Sequence, residues 1–403
     1  MEDVDNSEQA ATILGVAEKD LAIAFALDDT SALAASTALG TQGPLLSRST
    51  YAAVARGFDG TSVGDALVTE SMYEDWRVVS MRVVPCSPLG PAPVGAIEDL
   101  CWPEVRLVLQ PVLRNVRIHE RSAVAFADDR AIHALYDAPA DLALQPVTAA
   151  RARSLVQRVR ETGKAWRGGP FAPLSISELA ELGAARDTVV RDMLFRTKAL
   201  RDPAVPATAY AQHGVRPESA DGGTAAAAFA GRVQSFLGRF AKPSALRALT
   251  AFSLPEGREP AHLDEWVFLS FKAERGGLVR ESITLTSPND GRVLVDLGMA
   301  PVGRQVADDE TVHAAARNPL LAPAISARAM LGPADIARLT PVLRDRRTTF
   351  VPNTTCASCH KMNALRFDFH SFGYLEDRDL TISPRVVTDV TLDLAWIRSR
   401  LDR

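Results

Sequence analysis

The sequence contains very little cysteine. Only four of its 403 residues are cysteine, and they form two separate pairs, Cys86 with Cys101 and Cys356 with Cys359. This low number excludes the class of small secreted domains in which a dense set of disulfides replaces a hydrophobic core. Two distant pairs are compatible with one disulfide and one chemical site.

Lysine is scarce as well, and positive charge is not in excess. Six of the 45 basic residues are lysine, and the net charge is −4 at pH 7. We interpret the arginine preference as the mark of a GC-rich genome. The acidic balance, without a basic stripe, argues against a nucleic-acid partner.

Long hydrophobic runs and a visible leader are also missing. No run reaches the ~18 apolar residues of a membrane-spanning helix, so we expect no transmembrane segment. The N-terminus begins Met1-Glu2-Asp3 and has neither the basic nor the apolar part of a signal peptide. The chain is therefore either cytosolic or a trimmed chain whose leader, with or without a lipid anchor, lies outside this sequence.

The distribution of apolar residues predicts an α+β fold. Residues 76–84, 104–110 and 132–136 are β-branched or alternating, which predicts strands, the first of them ending at Pro85. Residues 147–200 have helical spacing, with a helix start at Ser175. Gly276-Gly277 predicts a hairpin turn.

Three other segments complete this interpretation. Residues 8–39 are rich in alanine and leucine and predict two short helices, residues 40–64 predict a loop, and residues 224–252 predict a helix. We divide the chain into a β-rich N-terminal domain with a helical lead-in (1–145), a mixed helical and β-hairpin region (146–300) and a mostly helical region (301–403). Trp396, near the end, is expected to pack on the core.

One motif carries chemistry. Residues 356–360 read Cys356-Ala357-Ser358-Cys359-His360, the C-x-x-C-H attachment signature of a c-type haem. Two thiols at this spacing reach the two vinyl groups of a porphyrin and form thioethers, and the adjacent histidine supplies the proximal iron ligand.

Three other interpretations of the pair remain open. A thioredoxin-like redox site would need a βαβ setting with most of its fold downstream, whereas only a short charged tail follows Cys359. A zinc site with His360 or His370 would lack a second close pair of ligands. The third alternative is an unmodified pair of thiols.

Other sequence motifs of catalysis or nucleotide binding are missing. The chain has no P-loop, dinucleotide-binding glycine motif, nucleophile elbow or H-E-x-x-H motif.

On this motif the C-terminal part, about residues 330–403, resembles a c-type cytochrome. The resemblance implies a helical haem domain over 301–403, with one covalent haem c and its iron held by Cys356, Cys359 and His360. The usual methionine ligand is not matched, because the only later methionine, Met362, is too close to His360 to reach the opposite haem face.

The sixth iron ligand is therefore a separate prediction. We expect His370, ten residues after His360 and among phenylalanines, to be the distal ligand. Arg366 is expected to bind a haem propionate, since arginine forks suit carboxylates. The alternatives are an open iron site or a ligand drawn from a list of more distant residues: His313, Met330, His133 and His119.

The first cysteine pair predicts a disulfide. Cys86 follows one predicted strand and Cys101 precedes the next, so a bond between them would join the two ends of the connection. Disulfides and c-type haem both require an oxidising compartment, which favours the periplasm or outer surface of a Gram-negative bacterium.

These observations support three functional hypotheses. The first is an exported mono-haem cytochrome that transfers one electron to or from a partner protein docked by the N-terminal region. The second is a haem enzyme with an open iron site, such as a peroxidase-like oxidoreductase. The third is a non-catalytic binding or assembly protein in which the haem is structural.

Overall fold

The computed structural model describes the folded N-terminal body and the last helix of the chain. The described residues are 15–25, 33–58, 70–89, 100–117, 122–127, 131–165, 174–202, 216–220, 223–253, 267–274, 277–281, 284–286, 293–296, 334 and 384–401. Helices and antiparallel strands occur together in these ranges, so the α+β class is confirmed.

An eight-stranded antiparallel sheet forms the centre of the molecule. Its strands follow the order β1-β2-β3-β5-β6-β7-β8, and β4 pairs with the far end of β3. The strands are β1 (Ala22–Ala24), β2 (Trp76–Pro88), β3 (Cys101–Arg117), β4 (Ser122–Ala127), β5 (Ala131–Asp137), β6 (Leu246–Ser253), β7 (Val267–Glu274) and β8 (Gly277–Glu281). A second, two-stranded sheet pairs β9 (Thr284–Thr286) with β10 (Val293–Asp296).

Helices pack around this sheet and share its core. They are α1 (Glu18–Leu21), α2 (Arg48–Gly57), α3 (Pro146–Ala165), α4 (Ile176–Lys198), α5 (Pro217–Ala220), α6 (Gly223–Phe240) and α7 (Pro384–Leu401). Because β5 pairs with β6, the sheet takes strands from both sides of residue 145. Buried residues of α3, α4, α6 and α7 belong to the same apolar cluster as the strands.

Alternation along the strands gives the sheet two different faces. On one face Leu107 of β3 and Ala134 of β5 lie opposite each other and are fully buried. On the other face their neighbours Arg106 and Leu135 are also paired but only partly buried. Successive side chains of a strand point to opposite sides, so one face fills the core and the other carries polar groups. We call the second one the polar face.

The predicted strands over 76–84, 104–110 and 132–136 are confirmed, and so are the helix start at Ser175 and the β7–β8 hairpin. Ser175 Oγ accepts the backbone N–H of Glu178, whose carboxylate accepts the N–H of Ser175 in return. The first strand, however, continues past Pro85 to Pro88. Its register with β3 shifts between Val84 and Ser87, and such an irregularity tolerates a proline.

Three local predictions were wrong because tertiary contacts outweigh local composition. Within the predicted loop, α2 begins after Ser47, whose hydroxyl accepts the N–H of Thr50, and it buries Tyr51 and Val54 in the core. Within the predicted helix 224–252, α6 ends at Phe240 and β6 follows, paired on both sides. Within 8–39, one short helix is present as α1, but residues Ala22–Ala24 form an edge strand on β2.

Candidate functional site

The predicted haem site lies outside the described residues. This applies to Cys356, Cys359, His360, Arg366 and His370, which therefore stay predictions. The alternative ligands His313, Met330 and His119 also lie outside the described ranges. On either side of this segment the structure describes elements up to β10, which ends at Asp296, and then α7.

The predicted disulfide is present between Cys86 and Cys101. Their Cα atoms are 5.0 Å apart, and the bond closes a connection of sequence separation 15. The neighbouring register pairs Ser87 with Trp102 and Pro88 with Cys101, so the bond lies where the long β2–β3 ladder ends. In the loop-entropy treatment, a connection of this size contributes about 3 kcal/mol of stability.

A fully buried arginine contacts this disulfide. Arg186 of α4 has no exposed surface, and its Nη1 donates to Cys101 Sγ at 3.5 Å. Its Nε and Nη2 donate to Asp187 Oδ1 at 2.9 and 2.7 Å, and its guanidinium lies 5.1 Å from the ring centre of Trp396. The expected packing of Trp396 on the core is confirmed. Arg186 therefore contacts both the disulfide, at Cys101, and the last helix, at Trp396.

The last helix is held on the polar face of the sheet by a buried ion cluster. Arg82 of β2 donates through Nη1 to Asp389 Oδ2 and through Nη2 to Asp393 Oδ2, both at 2.8 Å. All three side chains are buried. Arg385 lies 3.3 Å from the second oxygen of Asp389. The two carboxylates and the two guanidiniums therefore balance each other's charge.

The local sequence of α7 explains how it makes this contact. Arg385, Asp389 and Asp393 are spaced at four residues and form one stripe along the helix. An adjacent stripe at helical spacing is apolar and buried, consisting of Val390, Leu394, Ile397 and Leu401. Arg191 of α4 also donates to the carbonyl oxygen of Leu401 at 3.0 Å.

Burial and pairing act on Arg82 in opposite directions. Burial by itself lowers the pKa of a guanidinium, since it disfavours the charged form. The charges and hydrogen bonds of Asp393 and Asp389 outweigh this effect and raise the pKa of Arg82 above its ordinary value. The cation is therefore permanent, and it pairs with both buried carboxylates at once.

A second ion cluster continues across the polar face. Glu104 of β3 is buried and accepts hydrogen bonds from Arg106 and from Arg247 of β6, the latter at 2.8 Å. Burial raises the pKa of Glu104, but the two arginines outweigh it and lower that pKa to about 2. Arg247 lies 3.2 Å from Asp137, which pairs with Arg160 of α3 at 2.5 Å. This chain of charges fastens α3 to the sheet.

His133, one of the alternative iron ligands, lies in the middle of the sheet. It stands in β5 on the polar face, paired in register with Val108 of β3 and Thr250 of β6. Burial, together with the nearby charge of Arg106, lowers its pKa from 6.5 to about 4. The imidazole is therefore neutral at pH 7, and the residue lies within the sheet, with a paired strand on each side.

The composition and placement of the described residues also bear on metal binding and on membrane-spanning helices. They contain no group of three or more histidine, cysteine or acidic side chains placed to hold a metal ion. Among the helices in the described ranges, none combines the length and the apolar character needed to cross a bilayer.

Comparison with known proteins gives no relative for this chain. No protein-family profile, no curated protein and no solved structure matches it.

Sequence reasoning missed the Arg82 cluster, although part of its signal is present. Two aspartates four residues apart, directly beside an apolar stripe in α7, indicate acidic groups at the edge of a buried face. Their partner is 307 residues away from Asp389 in sequence, and no local pattern identifies it.

We predict that Arg82→Met destabilises the protein by about 3–5 kcal/mol, because it leaves two buried carboxylates without their shared cation. Urea denaturation followed by circular dichroism measures this change in the free energy of unfolding. Adding Asp389→Asn and Asp393→Asn to Arg82→Met removes the uncompensated charges and should restore much of the loss.

Arg153→Met is the matched control for this prediction. Arg153 lies 3.6 Å from Asp141, and both side chains are more than half exposed (57% and 54%). Such a pair contributes about 1 kcal/mol or less. Equal destabilisation by Arg153→Met and Arg82→Met would contradict the importance assigned to the buried cluster.

The lowered pKa of His133 predicts a specific pH dependence of the free energy of unfolding. Its folded pKa of about 4 is below the unfolded value of 6.5, so unfolding takes up a proton between these two values. The stabilisation is complete above pH 6.5 and is lost as the pH falls towards 4. From pH 7 to pH 5 the unfolding free energy should decrease by about 2 kcal/mol through this residue.

Urea titrations of the wild type and of His133→Phe at several pH values test this. The variant should lack most of the slope between pH 6.5 and 4.5, while the loss below pH 4.5, where Glu104 is protonated in the unfolded chain, should remain. An unchanged slope in His133→Phe would assign the pH dependence to other groups.

Proposed function

We propose that this protein is an exported mono-haem c-type cytochrome that carries one electron to or from a partner protein. The run Cys356-Ala357-Ser358-Cys359-His360 carries this proposal, because two thiols and a histidine at this spacing match the two vinyl groups and the iron of one porphyrin. When bound, haem c supplies an iron centre that accepts and returns one electron.

The roles of the chain's own residues follow from their chemistry. Cys356 and Cys359 would hold the cofactor through thioethers, and His360 would be the proximal ligand. His370 would be the distal ligand, and Arg366 would bind a propionate. Residues 301–403 would form the helical haem domain, with α7 as its last helix.

The disulfide supports the proposed compartment. Covalent haem attachment takes place outside the cytoplasm, where disulfides also persist, and Cys86 and Cys101 are joined by one. Both pairs of cysteines thus fit the periplasm or the outer surface of a Gram-negative bacterium.

Anchoring of α7 supports a role for the N-terminal region. The segment that bears the motif lies between β10 and α7, and α7 is fixed on the sheet by Arg82. The N-terminal region would therefore hold the haem domain beside the surface at which the redox partner docks.

Covalent haem is tested by intact-protein mass spectrometry. Protein produced with a cytochrome c maturation system should be heavier by ~616 Da, the mass of one haem, and should stay so after denaturation. Cys356→Ser with Cys359→Ser should abolish the added mass, whereas Cys86→Ser with Cys101→Ser should keep it. An unmodified mass in the wild type would reject the cytochrome proposal, and retention of one zinc ion instead would favour the zinc alternative.

The distal ligand is tested by optical and paramagnetic resonance spectra of the loaded protein. The wild type should give low-spin bis-histidine signals, and His370→Ala should convert the ferric spectrum to high spin. His313→Ala and His133→Phe are matched controls that should leave the signals unchanged. A high-spin wild type would instead indicate an open iron site and favour the peroxidase-like alternative.

A further inference from the structure

Arg186 makes a buried contact with the sulfur of Cys101. Arg186 is fully buried, yet one of its five N–H groups is directed at the sulfur of a neutral disulfide, at 3.5 Å. A disulfide sulfur is a weak acceptor, so this placement brings little stability to the oxidised protein. The same placement suits a thiolate well, because hydrogen bonds to charged groups are roughly twice as strong.

The charges around Arg186 leave the sulfur in a positive environment. Asp187 accepts from Arg186 at 2.7 and 2.9 Å and also lies 3.3 Å from Arg400 of α7. One carboxylate is thus shared by two guanidiniums, and the guanidinium of Arg186 also contacts Cys101 Sγ. Thiol pKa values fall beside arginine, which increases the thiolate fraction.

The two sulfurs of the disulfide are not equivalent. Cys101 is 2% exposed and contacts Arg186, whereas Cys86 is 8% exposed and belongs to the other strand. In thiol–disulfide exchange the sulfur with the lower pKa leaves faster. The geometry therefore favours attack at Cys86 and departure of Cys101.

We propose that Cys86–Cys101 is an exchangeable disulfide that reacts with dithiol reductants, and that Arg186 stabilises the departing Cys101 thiolate. In the first step a thiolate of the reductant attacks Cys86 Sγ. The bond to Cys101 breaks, and its electron pair stays on Cys101 Sγ beside Arg186. The second thiol of the reductant then gives up its proton and attacks the reductant's first sulfur, which is bonded to Cys86 Sγ in the mixed disulfide. This step closes the disulfide of the reductant and releases Cys86.

The atoms and electrons of this reaction balance. The protein disulfide gains two electrons and, at pH values that protonate both thiols, two protons. The reductant loses the same number and becomes a disulfide. No haem takes part, so the inference does not depend on the function proposed above.

The experiment measures reduction of the purified full-length protein in buffers of reduced and oxidised dithiothreitol. Samples are quenched with acid and alkylated, and the peptides that contain Cys86 and Cys101 are quantified by mass spectrometry. Because only these two peptides are read, the state of Cys356 and Cys359 does not enter the result.

Two variants should shift the equilibrium in opposite directions. Arg186→Met removes the cation and should lower the equilibrium constant for reduction about tenfold or more. Asp187→Asn keeps Arg186 but removes its counter-charge, and it should raise that constant. In the reduced protein the pH at which Cys101 is alkylated should rise with Arg186→Met and fall with Asp187→Asn.

The directions in which the two variants shift the reduction equilibrium distinguish an exchangeable disulfide from a purely structural one. If Arg186 and Asp187 serve packing alone, both variants loosen the region, and both make the disulfide easier to reduce. That result, or an unchanged equilibrium in both variants, overturns the proposal. If Arg186→Met does not fold, the alkylation profile of Asp187→Asn decides the question, because loosened packing alone does not lower the pH at which Cys101 is alkylated, and Arg186→Lys serves as the charge-retaining control.

Discussion

The buried pairing of Arg82 with Asp389 and Asp393 determines where the last helix lies on the central sheet. It joins β2 to α7 across 307 residues, and the entropic cost of closing so long a connection rises only slowly with length. Ion pairs at this depth contribute little net stability, because desolvation offsets their attraction. Their main effect is on specificity. A shift of α7 by one position would separate Arg82 from the two carboxylates that accept from it, so the cluster selects a single position of the helix on the sheet.

The need to pair buried groups also explains why arginine, rather than lysine, supplies the cation of each buried cluster described above. Each buried cluster needs a cation that reaches several acceptors at once: Arg82 bridges two carboxylates, and Arg186 contacts both a carboxylate and a sulfur. Arg216 likewise donates to Glu218 and to Asp20 while lying 5.3 Å from the ring centre of Phe229. A planar fork makes such contacts, and a lysine ammonium does not. The arginine preference, read from the sequence as a mark of genome composition, is used structurally at these positions.

The sequence predicted those features that local chemistry determines. Alternation in β3 and β5, the capping box of Ser175 with Glu178 and the cysteine pair at the ends of β2 and β3 are short-range signals, and the structure confirms them. The short strand β1 was missed because it is alanine-rich and owes its form to pairing with β2. The cluster of Arg82, the contact of Arg186 with Cys101 and the position of His133 depend on residues far apart in sequence. The run Cys356–His360 is the opposite case, since the haem attachment proposed for it is suggested by five consecutive residues.

The position of α7 links these local and distant features. It follows the segment with Cys356 and Cys359, and it is fixed at two places, by Arg82 on the sheet and by α4, where Arg186 contacts Trp396. The contact with α4 includes the arginine that touches the disulfide. A change in the charge of Cys101 would therefore act on Arg186, and through Trp396 and Asp187 on α7. Cys101 is thus linked in space, through Arg186, to the helix that follows Cys356 and Cys359 in the chain.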